Sequence, residues 1–233
     1  MKYHYDLHIH SILSPDADVL MTPNNIFNMA YLKKLNVIAV TDHNSTKQLS
    51  ICEEIAKSYD ILFIPGIELS LKDDFHVLVY FKSVEDANTF NEKLNPWRSL
   101  KRYDGVSEHS QGFTDINDLI VGHETYDLSL NLSLSLNDLK QMLQSFRHIL
   151  VFAHVNRQKK SGLHVLKEHD VDAIEVVNLK DINFIKNHKL EHYKIMYNSD
   201  AHDITDLNEC METNIIDLKE LTMDAFFEVF HHG

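Results

Sequence analysis

Asp6-Leu-His-Ile-His-Ser11, entered through Tyr3 and Tyr5, is the stretch whose reading decides the fold. Residues i and i+2 of an extended segment point to one side, so His8 and His10 face a common place where a first strand ends. With 16 His in 233 residues, a bare His-x-His arises about once by chance, and its context has to carry the weight. That context is supplied by other apolar segments that also end in metal-capable side chains. Asp42 and His43 stand in Thr41-Asp-His-Asn44 after Val37-Ile-Ala-Val40, Glu68 in Pro65-Gly-Ile-Glu68, and His154 in Phe152-Ala-His154. Asp200 and His202 follow in Ser199-Asp-Ala-His202, Asp16 lies just beyond the first segment, and His76 opens its segment in Phe75-His-Val-Leu78. Parallel α/β folds collect their chemistry at the C-terminal ends of strands.

Working outward, short apolar runs at Tyr3 to Ile9, Val37 to Val40, Ile61 to Ile64, Phe75 to Phe81, Ile149 to Phe152, Ala173 to Val177 and Ile195 to Tyr197 read as buried parallel strands. Helical patterns lie between them. Thr22-Pro23 is an N-cap and first-turn pair, and Ser135 with Asp138 resembles a capping box. Further helices are predicted at about Lys47 to Ser58, Val84 to Lys93, Gly162 to Glu168, Asp181 to His188 and Thr222 to Phe230. Repeated βα units give an α/β barrel or a doubly wound sheet in one domain, residues 1–233. The stretch from about 82 to 136 breaks the pattern and reads as an insertion near the pocket; its Leu128-Ser-Leu-Asn-Leu-Ser-Leu-Ser-Leu136 has the alternation of a half-exposed strand.

A hydrophobic fraction of 44% suits a globular core, while a formal net charge of −13 argues against a broad phosphate-backbone footprint. The expected partner is therefore a small phosphorylated substrate, with no nucleic-acid polymer and no membrane. Cys52 and Cys210 match no disulfide or thiolate-metal spacing and read as reduced and structural. The N-terminus lacks a cationic region followed by an apolar stretch, and no segment is long and apolar enough to span a bilayer, so a cytoplasmic protein is expected.

Imidazoles and carboxylates without thiolate suit Zn, Mn or Fe, and ligand type does not choose among them. Glu68 has the chemistry to bridge two ions, and Asp42 to orient a neighbouring ligand. Clustered divalent ions lower the pKa of a shared water and neutralise phosphoryl oxygens, which favours hydrolysis by metal-activated hydroxide. No Ser, Cys or Lys stands in a nucleophile motif. Arg157, in His154-Val-Asn-Arg157, is either a bidentate clamp for a substrate phosphate or an ordinary surface Arg; Lys159 and Lys160 read as a solvated loop. His109, His123, His164, His169, His188, His192, His231 and His232 have no strand-end context and carry no role.

Taken together, Asp6-Leu-His-Ile-His-Ser11, Thr41-Asp-His-Asn44, Pro65-Gly-Ile-Glu68, Phe75-His-Val-Leu78, Ala153-His154 and Ser199-Asp-Ala-His202 resemble the PHP (polymerase and histidinol phosphatase) family, specifically its small stand-alone bacterial members. The resemblance implies a distorted (β/α)7 TIM-like barrel with two or three divalent metals at its rim. One metal would be held by His8, His10, Glu68 and Asp200, a second by Glu68, His76 and His154, and a third by Asp16, His43 and His202. Some family members carry His at the place of Asp16, and Asp18 stands two residues away. The implied activity is a metal-dependent phosphoesterase acting on a small phosphorylated metabolite, with Glu68, Asp200 and His202 catalytic, Asp42 behind them and Arg157 binding substrate. The alternatives are a metal-dependent hydrolase of a non-phosphate substrate, or a catalytically silent metal-stabilised binding module.

Overall fold

The computed structural model describes residues 1–99, 101, 103, 111–178 and 183–231. Its elements run β1 (Lys2–Ile9), α1 (Pro23–Leu32), β2 (Val37–Val40), α2 (Leu49–Ala56), β3 (Leu62–Ser70), β4 (His76–Phe81), α3 (Val84–Lys93), β5 (Gly112–Thr114) and β6 (Ile120–His123). They continue with α4 (Leu136–Leu143), β7 (His148–Phe152), β8 (Ala173–Val177), α5 (Phe184–Asn187), β9 (Ile195–Asn198), β10 (Ile215–Asp217) and α6 (Met223–His231). One curled sheet has the order β10-β1-β2-β3-β4-β7-β8-β9, and β5-β6 form a separate hairpin. The curl brings β9 round to β1: Ile9 bridges Ala201, His10 N–H donates to Ala201 O at 2.9 Å, and Ala201 N–H donates to His8 O at 3.2 Å. The architecture is a distorted TIM-like barrel of seven core strands, with β10 added antiparallel along β1.

Period-2 patterning divides each strand between two cores. Ile38 and Val40, Val77 and Val79, and Leu150 and Phe152 pack outward against Phe27, Cys52, Phe90 and Leu139 of the surrounding helices. Val37, Ala39, Ile64, Leu78, Tyr80 and Val151 fill the inside, where Phe226 and Phe227 of α6 close the lower end. Leu7 belongs to the inner cluster and Ile9 to the outer one, although they are two residues apart. The register shift between Asp6 and Ile9 reverses the phase there.

Several expectations need correction. The third strand runs on to Ser70, so Glu68 sits within it, and no helix separates it from β4, which pairs antiparallel with both β3 and β7. This reversal explains His76: the beginning of an antiparallel strand lies at the same rim as the ends of its parallel neighbours. Gly66 permits the close passage of β3, since a Cβ there would meet Thr41 Cγ2 at 2.7 Å and Tyr80 Cδ1 at 3.0 Å. The helix expected at Gly162 to Glu168 is only a turn at Leu166–Glu168, a segment too short to repay nucleation.

The predicted helix at Asp181 to His188 is reduced to Phe184–Asn187, its first two residues and His109 lying outside the described residues. Thr22 occupies the cap position of α1, but its hydroxyl donates to Asp118 at 2.6 Å instead of capping; Ser135 does cap α4, accepting from Asp138 N–H at 3.1 Å. The Leu128 to Leu136 alternation is real in burial but is no strand. Leu128, Leu132, Leu134 and Leu136 are buried along an irregular segment tied to β3 by Leu132 N–H to Ser70 O and to the following turn by Lys72 N–H to Leu134 O. Both cysteines are free, Cys52 buried and Cys210 exposed. Among the described residues no helix is long and apolar enough to cross a membrane.

Candidate metal centre

The strand ends bring all nine expected ligand side chains into one cluster. His8 Nε2 and His10 Nε2 are 3.0 Å apart, and each lies 3.2 Å from Asp200 Oδ1. Glu68 reaches the same pair, Oε1 at 3.5 Å from His8 and Oε2 at 3.4 Å from His10. On its other side Glu68 Oε1 is 2.8 Å from His76 Nδ1 and 3.0 Å from His154 Nε2, while Oε2 is 2.8 Å from His43 Nδ1. Asp16 stands 3.3 Å from both His43 Nε2 and His202 Nε2. Asp18 makes no such contact; its carboxylate accepts from Leu20 N–H.

Proton bookkeeping shows why this cluster fits a cation. Asp42 is buried and accepts from Ser11 N–H, Ser11 Oγ–H and Ser14 Oγ–H at 2.6 to 2.7 Å. Ser14 has thus given its only proton away and can only accept, so His10 Nδ1, 2.9 Å distant, carries the ring hydrogen. His8 Nδ1 likewise faces the Glu175 carboxylate at 2.9 Å. In their neutral, cation-binding forms the two rings therefore turn Nε2 lone pairs towards each other and towards Asp200. Acceptors converging without a proton need positive charge between them. Several buried polar atoms here make no well-directed hydrogen bond: His43 Nδ1, Glu68 Oε2, Asp200 Oδ2 and His202 Nε2 lie only in ion-pair contact, and His154 Nδ1 has no hydrogen-bond partner.

The titration of these groups tells the same story. Burial opposes charge on His8, but Glu175, Asp200 and Glu68 outweigh it and raise its pKa well above the ordinary imidazole value. Burial, with His202 and His43 adding to it, holds His10 well below that value. His43 rises to about 10 because Glu68 and Asp16 overcome its burial. Against its own burial, Glu68 is held far below the carboxylate range by His76, His8 and His43. Protons and cations compete for one place, and a cation that binds has to displace the proton from His8 Nε2.

Backbone geometry supports the cluster. His154, Asp200 and Asn44, which follows His43, have positive φ values of 31°, 56° and 51°. Such conformations cost about 1–3 kcal/mol each and gather where surrounding structure imposes them. Asn44 is held by donating to Leu128 O and Leu130 O and by accepting from Ser70 N–H, which ties the 82–136 excursion to the rim.

The cluster forms the floor of a cavity of about 670 Å³ whose wall includes Leu128, Ser129, Arg157, Gln158, Lys159 and Lys160. Arg157 Nη2 lies 2.5 Å from Asp200 Oδ2, with 44% of its side chain exposed. Lys159 and Lys160 line this cavity and so are more than a solvated loop; Lys160 is also paired with Asp74 at 2.5 Å. Sequence reasoning missed Ser14, Ser70 and above all Glu175. A glutamate at the centre of the apolar Ala173-Ile-Glu-Val-Val177 was the available signal, since a carboxylate there is buried and must find donors.

No protein-family model matches the chain. A 5'-3' exoribonuclease of Haemophilus influenzae is 36% identical over 70 residues, which cover 30% of this chain and 24% of that relative. The structure of Endonuclease Q in complex with a 27-mer duplex, with an abasic lesion at the active site, superposes with a TM-score of 0.70 at 22% identity, over 99% of this chain and 56% of that one. A two-domain protein of Bacteroides vulgatus containing a predicted PHP-like metal-dependent phosphoesterase gives a TM-score of 0.58 at 19% identity, over 99% of this chain and 62% of that one. The chain thus spans about a quarter of the curated relative and little more than half of Endonuclease Q.

These likenesses overturn the expectation of no nucleic-acid partner, because relatives in both sequence and structure act on nucleic acids. The physical error was to read a global charge as a local one. Asp16, Glu68 and Asp200 count towards the −13 yet lie among the imidazoles of a cluster that could hold metal, while Arg157, Lys159 and Lys160 line the cavity, Arg157 paired with Asp200 and Lys160 with Asp74. Superposition over nearly the whole chain, on a seven-strand distorted barrel, shows that this protein has the PHP-type fold.

Proposed function

We propose that the chain is a metal-dependent hydrolase of phosphoric esters whose substrate is a nucleic-acid strand presented phosphate-first to the cavity. The observation that carries the reading is the buried convergence of His8, His10, Glu68 and Asp200, each imidazole 3.0 to 3.5 Å from the other three groups, beneath a wall bearing Arg157, Lys159 and Lys160. Divalent cations bound there supply charge for the phosphoryl oxygens and an acidified water. His8, His10, Glu68 and Asp200 would hold one, Glu68, His76 and His154 a second, and Asp16, His43 and His202 a third. Glu68 stands between all three sets, its two oxygens facing five imidazoles.

The remaining tasks fall to residues around the ligands. Asp42, acting through Ser14, keeps His10 oriented. Arg157 reaches over Asp200 and offers its guanidinium to a non-bridging phosphate oxygen, a planar fork matched to that geometry. Lys159 extends the positive wall towards the next phosphate along a strand. His202 is the most open imidazole of the cluster, 25% exposed, and when the third site is empty its Nε2 can pass a proton to a departing oxygen.

The test uses Mn²⁺- or Zn²⁺-loaded protein with 5'-phosphorylated single-stranded RNA and DNA, a duplex containing an abasic lesion, and small phosphomonoesters as the metabolite control. Metal-dependent cleavage of an oligonucleotide, lost in Asp200→Ala, is expected. Stoichiometric metal binding with no hydrolysis of any of these substrates would leave a silent binding module and refute the proposal.

A further inference from the structure

We infer that Glu175 is a positioning residue that selects the tautomer of His8 and anchors the turn carrying His154, and thereby sets how tightly the cluster holds its cations. The inference rests on the metal-site reading above but concerns a residue outside every ligand set. Glu175 is completely buried in the middle of β8, on the inner face it shares with Ala173. Its Oε1 accepts from Asn198 Nδ2–H at 2.7 Å, and its Oε2 from the backbone N–H of His154 at 2.8 Å.

Both of those partners can only donate. A backbone N–H has no other role, and the orientation of Asn198 is fixed because its Oδ1 accepts from Leu7 N–H at 3.0 Å. The carboxylate is therefore an acceptor on both oxygens, and His8 Nδ1, at 2.9 and 3.0 Å from them, must carry the ring proton. In the neutral ring, the form that binds a cation, this leaves Nε2 as the lone pair aimed at His10 and Asp200. Without Glu175 the imidazole is free to place its proton on Nε2, the tautomer that cannot bind a cation in the cluster. The same carboxylate satisfies the N–H of His154 where φ is 31°, a conformation that needs an outside partner to persist. One residue of β8 thus orients ligands delivered by β1 and β7.

Glu175→Gln tests this with almost no change of shape. A Gln has one acceptor oxygen, and its amide must oppose His8 Nδ1–H, His154 N–H or the Asn198 amide, donor against donor. Mn²⁺ titrated against a chromophoric chelator should bind E175Q about 10–100-fold more weakly than wild type, the range for losing a partner of a metal-ligating His. Long-range ¹H–¹⁵N correlations on the Zn²⁺-loaded wild type should place the His8 proton on Nδ1, and this measurement decides the matter even if E175Q does not fold. A proton on Nε2, or Mn²⁺ affinity of E175Q within twofold of wild type, overturns the inference. Tight wild-type binding matched by E175Q refutes this inference alone, whereas a wild type that binds no Mn²⁺ refutes the site reading and this inference with it.

Discussion

The lower half of the barrel and its rim are built from the same strands and obey opposite rules. Below, Leu7, Leu78, Val151 and Met196 share one apolar cluster with Phe226 and Phe227, and its tyrosine hydroxyls are paired: Tyr80 Oη–H donates to Leu7 O at 2.7 Å, and Tyr5 Oη accepts from Tyr197 N–H at 3.1 Å. Above, buried imidazole nitrogens and carboxylate oxygens crowd one another, and several of these atoms make no well-directed hydrogen bond. The contrast teaches that the apolar half provides the stability with which the rim's electrostatic tension is tolerated. A cluster of this kind is costly alone and favourable only with cations in it.

If that division holds, the two halves should respond separately to substitution. Phe227→Ala, which empties a fully buried ring from the lower plug, should cost about 3–5 kcal/mol in chemical denaturation while leaving the metal affinity of the folded protein within twofold. A large affinity change in that variant would mean the halves are coupled. At the rim, His10→Ala should lower kcat/KM on a cleavable oligonucleotide by about 100-fold or more, beyond the range for a supporting residue, with little loss of metal-free stability. Turnover close to wild type would remove His10 from the centre.

Stripping the metal should join the halves thermodynamically. A cation present at about 100 times its dissociation constant adds about 2.7 kcal/mol to the folded state, so chelation should lower Tm by about 5–10 °C, as read by differential scanning calorimetry. An unchanged Tm would show that no cation relieves the cluster. The smallest effect is expected at Arg157→Ala, whose exposed guanidinium should contribute about tenfold in KM through a charge-assisted hydrogen bond, with kcat less affected. A stronger loss of kcat than of KM would move Arg157 from binding into the chemical step.

The residue pattern made much of this readable. Short apolar runs located the seven core strands, and ligand-capable residues at the ends of most of them located the rim, because burial of a whole strand and the chemistry that follows it are written locally in the chain. His8, His10 and Glu68 could be placed on one side of their strands from sequence alone. Asp42 was legible as a supporting residue, since it adjoins His43 in the same turn. Glu175 was not placed, because its three partners come from β1, β9 and the turn after β7, far apart in the chain.

Strand direction was also beyond local pattern. The residues of β4 are as apolar as those of a parallel strand, and only the short connection from Ser70 to His76 reverses it, turning a strand's beginning into a rim position. Net charge misled for a related reason: a sum over the chain does not record that acidic residues converge among imidazoles while Arg157, Lys159 and Lys160 converge on the cavity wall. Legible in the residues alone were the approximate core strands and the imidazoles and carboxylates that gather at the rim, which follow from apolar runs and side-chain chemistry. Tertiary structure alone decided which groups meet, which nitrogen of each His is bare and where charge accumulates, because those depend on distances of a few ångströms between segments that only the closed barrel brings together.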